Sequence, residues 1–395
     1  MKRPRKLAVV LSHPTQYYSP WFRWLAAHAD ISLRVFYLWD FGITRQRDPQ
    51  FETPIQWDVD LLSGYEWELV PNSARDPGTH HFSGLTNPTL LNRLAKWGPD
   101  VILIFGYKWW SLLRVIGYAR FRGIPLLFRG DSHFLGRGQP SWFKRAALRL
   151  LYAQFSAFLV VGSANGDYFR TLGVPEKKLT FCPHSVDANL FNPTVSDYAR
   201  RAAQLRVSLN LQQARCVVLF AGKFTAAKQP CELLEAFIAV APPDAAIVFV
   251  GDGPEREKLQ RRSAESTAQV RFLPFANQSE MPVRYMLADI FALPSRGHYE
   301  TWGLAVNEAM HMGLVPLVSD RVGCQRDLVE PDVTGWVFQS DNPDDLRDKL
   351  RSALTVDIEP LRQRSAQRIA GYTYAQSTAG LLRALRLLGE ETALA

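Results

Sequence analysis

The chain has 395 residues, 47% of them hydrophobic and 21% charged, with a formal net charge of +8. That length leaves room for two domains, each with its own core, and the balance is that of an ordinary soluble protein. No run approaches the roughly 18 apolar residues of a membrane-spanning helix, and Cys182, Cys216, Cys231 and Cys324 lack metal or redox spacing, reading as buried thiols of a reducing cytoplasm.

In chain order, a basic head precedes an apolar run confined to Leu7–Leu11, too short for a secretory leader and read as a first strand. Strand-like runs at 7–11, 33–38, 101–105, 125–128 and 158–161 alternate with helical patterns at 19–29, 109–122, 142–153 and 164–172. This alternation predicts a doubly wound α/β domain over 1–190. Residues 39–88 break it, being rich in aromatics and turn residues with little periodicity. A segment of that length inside a domain points to function, with a structural excursion around its own small aromatic core as the alternative. A strand and a Pro/Asn-rich turn at 179–194 lead into an interdomain linker, 191–214, whose 197–213 is basic and amphipathic. A second alternation, over 215–372, opens at Cys216 and continues with strands near 246–250, 270–273, 290–293 and 315–318. A last helix, about 374–388 within a terminal segment 373–395, carries Leu381, Leu382, Leu385 and Leu388 on one face.

Charge is uneven. Residues 1–190 hold 23 Lys+Arg against 14 Asp+Glu, a balance of +9, which leaves −1 for the remainder. A basic half suits an anionic acceptor or a membrane surface, or serves solubility alone; no nucleic-acid motif accompanies it. Gly251-Asp-Gly253 after an apolar strand imitates a dinucleotide fingerprint, but Arg256 stands at the third glycine position and no acidic residue follows at the required distance.

The most informative stretch is 289–319. A buried run, Ile290–Leu293, gives way to a polar loop ending in Glu300, then to a helical pattern containing Glu308, then after Gly313 to a second apolar run. Strand, loop, helix and strand in this order place the helix start at the carboxyl edge of a parallel sheet, where such folds bind ligands. Backbone N–H groups around Trp302, Gly303 and Leu304 would suit a diphosphate there. Glu300 and Glu308 accept hydrogen bonds from hydroxyls, so the pattern fits a nucleotide diphosphate sugar, with hydroxyls on both sides of its diphosphate.

The stretch resembles the E-x7-E signature of family-4 retaining glycosyltransferases. VVLFAGKFTAAK at 217–228, IVFVGDGP at 247–254, the approach VRFLPFANQSEMPVRYMLADIFALPS and the following DLVEPDVTGWVF are similar to further family segments, in the right order. The resemblance covers 215–386 closely and 1–190 loosely, through HPTQYYSPWFRWL, RGDSH and PHSVD. It implies a GT-B fold: two Rossmann-like domains facing a central cleft, with the terminal helix crossing back to the first and the 39–88 segment on the acceptor side, where we read it as shaping the acceptor site. It also implies a role for Lys223 and Lys228 at the diphosphate, as point charges suited to phosphate oxygens, although the family has Arg at the position of Lys223. Glu300, Asp131, Lys228 and Lys223 are the candidate catalytic residues. Glu308, Trp302, Gly303, Leu304, Gly222, Phe275 and His298 are the candidate donor contacts. In the first domain the family's glycine-rich turn is replaced by a loop offering His13 and Gln16. Arg129 and His133 flank Asp131 where many members place a histidine. His184 and Asp187 fall in an interdomain turn.

The resulting expectation is a cytoplasmic enzyme, free or peripheral to the inner membrane, needing neither metal nor cofactor. It would transfer a hexose-type sugar from a nucleotide sugar to a glycan, lipid-linked or small-molecule acceptor, without nucleic acid as a partner. The alternatives are a GT-B nucleotide-sugar epimerase and a non-catalytic nucleotide-sugar-binding protein.

Overall fold

A computed structural model describes residues 3–44, 46–47, 54–136, 138, 140–296 and 300–393. Two parallel sheets form the frame. In the first, the spatial order is Glu66–Leu69, Ile31–Tyr37, Arg5–Leu11, Val101–Phe105, Leu126–Arg129, Ala157–Val160 and Leu179–Phe181. In the second it is Gln269–Leu273, Ala245–Val250, Cys216–Ala221, Ile290–Leu293, Val315–Ser319 and Trp336–Phe338. Each sheet runs outward from its first strand in one direction and then, after a crossover, in the other. This is the doubly wound arrangement that the alternating pattern predicts.

The central strands are buried on both faces and therefore read as continuous apolar runs. Leu7–Val10, Val101–Ile104 and Ala245–Val250 are almost wholly inaccessible. On one face of the first sheet pack the helices Leu90–Trp97, Trp110–Arg122, Trp142–Tyr152 and Ser163–Thr171. Helix Ser19–His28 and the terminal helix Tyr374–Ala393 cover the other. All four cysteines are free and buried, and none of the helices is long and apolar enough to cross a membrane among the described residues.

Two features were not legible in advance. The segment 39–88 supplies the edge strand Glu66–Leu69, paired in parallel with Arg34–Tyr37, and part of it reaches the second domain. Asn277 Nδ2 donates to Gln56 O (2.7 Å), and Ser279 N and Oγ both donate to the Asp58 carboxylate. The stretch 191–214 packs on the second domain: Phe191, Ala202, Leu211 and Ala214 belong to its core.

The terminal helix does return to the first domain. Leu381, Ala384, Leu385 and Leu388 lie in one core with the first sheet's Leu7, Val9 and Leu103, and the Trp21 indole N–H donates to Thr378 Oγ1 (3.2 Å). Leu381 is 0% exposed, so Leu381→Ala is expected to cost about 2–5 kcal/mol, seen in calorimetry as a lowered thermal midpoint. Arg386→Ala, on the exposed side of the same helix, should stay within about 0.5 kcal/mol.

Candidate active site

In an open parallel sheet, the crevice lies where strand order reverses, at the carboxyl ends. Here those points are between Arg5–Leu11 and Val101–Phe105, and between Cys216–Ala221 and Ile290–Leu293. The loops leaving these strands converge on a pocket of about 360 Å³ between the domains. Gln16, Tyr17, Trp57 and Asp131 line it from the first domain; Gly222, Lys223, Lys228, Phe275, Gln278, Tyr285, Glu300–Ala305 and Glu308 line it from the second.

The second-domain wall is built around the helix Leu304–His311. Its cap, Gly303, has φ +99°, a left-handed conformation that side chains resist. The turn brings Glu300 back over the sheet edge, where it ion-pairs with Lys228 Nζ and accepts from Ser295 Oγ (2.9 Å). One turn into the helix, Glu308 is 2% exposed. It accepts from Tyr285 Oη (2.7 Å) and Gln278 Nε2 (3.4 Å). Burial pushes its carboxyl up to about 7, against the opposing hydrogen bonds of Tyr285, Gln278 and Tyr17. Lys223, Lys228 and the helix start therefore concentrate positive potential between two hydroxyl-accepting carboxylates.

Across the cleft, Asp131 accepts from Thr301 Oγ1 (2.7 Å) and lies 3.8 Å from His184 Nε2. Burial works to raise its pKa, but the nearby His184 imidazole and the hydrogen bond from Thr301 outweigh that and hold it at about 2. Asp131 also lines a second pocket of about 330 Å³ within the first domain, together with Tyr18, Tyr107, Lys108, Trp109 and Ser132. It thus stands at the junction of the two spaces. Gly162 allows the domains to meet: a Cβ there would lie 2.4 Å from the Trp302 ring and 2.6 Å from Asp327 Oδ2.

Of the residues singled out by sequence, the main pocket gathers Asp131, Gln16, Gly222, Lys223, Lys228, Phe275, Glu300, Trp302, Gly303, Leu304 and Glu308. Three first-domain expectations need correction. His13 does not line the pocket; it packs edge-on against Trp39 and Phe41, and burial lowers its pKa to about 4. The Arg129 guanidinium borders the smaller pocket but is turned inward, donating to Cys182 O (2.8 Å), Cys182 Sγ (2.9 Å) and Pro183 O (3.2 Å). His133 is 1% exposed and bonds through Nε2 to Glu300 O (3.3 Å), joining the domains rather than facing a ligand. His298 lies outside the described residues. Trp57 places the 39–88 segment against the main pocket, beside the second domain. Tyr17, Gln278 and Tyr285 escape a sequence reading because nothing distinguishes them from core residues until Glu308 is seen between them.

Comparison with known proteins agrees with this fold. Residues 202–370 match the family model of glycosyl transferases group 1. The sulfoquinovosyl transferase SQD2 of Arabidopsis thaliana is 27% identical over 286 residues, 68% of this chain and 52% of that protein. The D-inositol 3-phosphate glycosyltransferase of Salinispora tropica is 32% identical over 171 residues, 40% of this chain and 35% of that protein. The chain therefore spans about half or less of the length of these curated relatives. HepE of Anabaena, solved with UDP and glucose, superposes with a TM-score of 0.70 over 97% of this chain and 99% of HepE at 17% identity. Sucrose-phosphate synthase of Thermosynechococcus elongatus gives 0.71 over 98% of this chain and 100% of that structure at 18%. The fold is GT-B.

The state of Glu308 can be checked without any ligand. Its folded pKa is raised, so it does not penalise folding below the ordinary value of 4.5, and the penalty is complete above about 7. Glu308→Gln abolishes that penalty. Its thermal midpoint relative to the parent is expected to rise by a few degrees between acid pH and pH 8, measured by differential scanning fluorimetry. A pH-independent difference would mean that the carboxyl is not held protonated.

Proposed function

We propose that this chain is a retaining, metal-independent glycosyltransferase of family-4 type, moving a hexose-type sugar from a nucleotide diphosphate sugar to an acceptor hydroxyl. One observation carries the reading: a single interdomain pocket brings together two lysines, a helix start and two carboxylates eight residues apart. The group 1 match over 202–370 and the UDP and glucose held by HepE support a donor of this class.

In this reading Glu308 holds the ribose, Lys223, Lys228 and the helix start take the diphosphate, and Glu300 orients the sugar. Bond breaking places negative charge on the departing diphosphate, where preorganised cations act most strongly. The acceptor enters from the first-domain pocket and meets the sugar beside Asp131. The acceptor proton passes to the departing diphosphate on the same face, which retains the anomeric configuration. Asp131, ionised at neutral pH, orients the acceptor hydroxyl or a sugar hydroxyl. The +9 balance of residues 1–190 favours an acceptor bearing phosphate or carboxylate, a glycan or lipid-linked glycan rather than a neutral alcohol, with the enzyme peripheral to an anionic inner leaflet.

The two carboxylates separate in experiment. Glu308→Ala should weaken binding of the bare nucleoside diphosphate by about 1–3 kcal/mol, the cost of leaving ribose hydroxyls unpaired in the site, read by calorimetric titration. Glu300→Ala should leave that affinity nearly intact while reducing turnover; equal loss of nucleotide binding in both variants would contradict the division of roles.

The cation requirement is tested through Lys223→Ala combined with Lys228→Ala. Turnover is expected to fall by orders of magnitude, because a helix terminus supplies only about half a unit charge. Activity of the parent should survive EDTA; loss with chelator and recovery with magnesium or manganese would overturn metal independence.

A further inference from the structure

The helices Trp110–Arg122 and Trp142–Tyr152 follow adjacent strands and bury one side each in the same core. Their opposite sides should be polar, and they are not. On the second helix, Leu148 and Tyr152 face the core, while Trp142 (69% exposed), Phe143 (66%) and Leu150 (72%) point away from it. At 100° per residue these three, with Ala146 and Ala147, form one stripe opposite the buried side. The first helix repeats the pattern, with Trp110 (43%), Leu113 (36%) and Phe121 (88%) outward and Leu112, Val115, Ile116 and Ala119 inward. Single exposed apolar residues are common, but two neighbouring stripes are not.

The charge around the stripes is of one sign. The two helices contain six basic residues (Arg114, Arg120, Arg122, Lys144, Arg145 and Arg149) and no acidic one. Between Asp100 and Asp167 the sole acidic residue is Asp131, which faces the cleft. Apolar stripes bearing Trp, Phe and Leu and flanked by Lys and Arg are the chemistry of a helix lying in a lipid headgroup layer. We infer that the outer face of these two helices docks on an anionic phospholipid bilayer. A second copy of the chain fits less well, because a two-fold contact would oppose two basic faces. A nucleic acid would use the cations but not Leu113, Leu150 and Phe121.

The position gives the docking a purpose, which rests on the proposed transfer reaction. Tyr107, Lys108 and Trp109 lead into the first helix, and the loop bearing Asp131 and Ser132 leads towards the second; both loops line the first-domain pocket. The helix starts therefore lie at the same sheet edge as the pocket, so an acceptor held in the bilayer by a lipid tail would enter beside the surface that binds it.

The test is co-sedimentation of the full chain, without nucleotide, with vesicles of phosphatidylcholine alone and of phosphatidylcholine mixed with phosphatidylglycerol. Binding to the mixed vesicles only, weakening as salt rises, is expected. Lys144→Gln with Arg149→Gln should weaken it about tenfold or more, at roughly 1 kcal/mol per basic residue near the surface. Trp142→Ser with Phe143→Ser and Leu150→Ser should abolish what survives at high salt. All five positions are exposed, so the thermal midpoints should match the parent and exclude misfolding. Absence of vesicle binding, or binding that neither variant changes, overturns the inference. So does a lipid-free dimer that the triple substitution dissolves. Turnover on a soluble acceptor, measured in parallel, should persist in both variants; its absence in every form alongside intact vesicle binding would refute the reaction and leave the docking surface standing.

Discussion

The site depends on the seating of residues 300–307 of the second domain against the first. Thr301 donates to Asp131, Glu300 O meets His133, Trp302 packs against Gly162 and the His184 ring, and Asn307 Nδ2 donates to His184 O (3.3 Å). A little further on, Asp327 accepts from the Ser163 amide and hydroxyl. The loop that carries the pocket's carboxylate is thus also the loop that sets the distance between the domains. The width of the cleft and the placement of Glu300 are one geometric quantity, and Trp302, whose indole N–H is held by Asn307 Oδ1 at 2.8 Å, is its rigid strut.

The pocket's electrostatics follow from that closeness. Glu300 neutralises Lys228 directly, whereas Glu308, eight residues on, has no cation partner among the described residues and is held by neutral donors, Tyr285 and Gln278. Two carboxylates of one short motif therefore occupy opposite regimes, one ion-paired and one largely desolvated. The first can exchange its partner when charge arrives in the pocket. The second presents a fixed acceptor whose protonation is balanced near neutrality.

Much of this was readable beforehand, for a definite reason. Strands buried on both faces must be continuous apolar runs, so Leu7–Leu11, Ile290–Leu293 and Leu314–Val318 announced themselves. The strand–loop–helix order then fixed which end of the sheet carries Lys223, Glu300 and Glu308. What failed was side-chain direction in the first domain. Nothing local in RGDSH says that Arg129 points inward to the carbonyls of 182 and 183 while Asp131 points to the cleft; alternation along the strand is lost where the strand ends. The organisation of the 39–88 segment is not readable locally because it is set by distant partners. Gln56 and Asp58 find theirs in the second domain, and Asn87 Nδ2 ties together the carbonyls of Leu38, Val70 and Pro71.

The chain passes between the domains twice, once after Phe181 and again before Tyr374, and the two passages are bonded to each other. Ser377 Oγ donates to Pro183 O (2.8 Å), Cys182 Sγ meets Ser377 O (3.2 Å), and the Ser185 and Ser377 hydroxyls are 3.1 Å apart. Arg129 clamps the first passage to its own domain through the carbonyls of Cys182 and Pro183. Two bodies joined at one short, doubled seam cannot slide past each other, since sliding would have to stretch both passages at once. A swing about that seam would displace the domains more the farther they lie from it, and would have to open both the contacts of residues 300–307 with the first domain and the clasp that Asn277 and Ser279 make with Gln56 and Asp58.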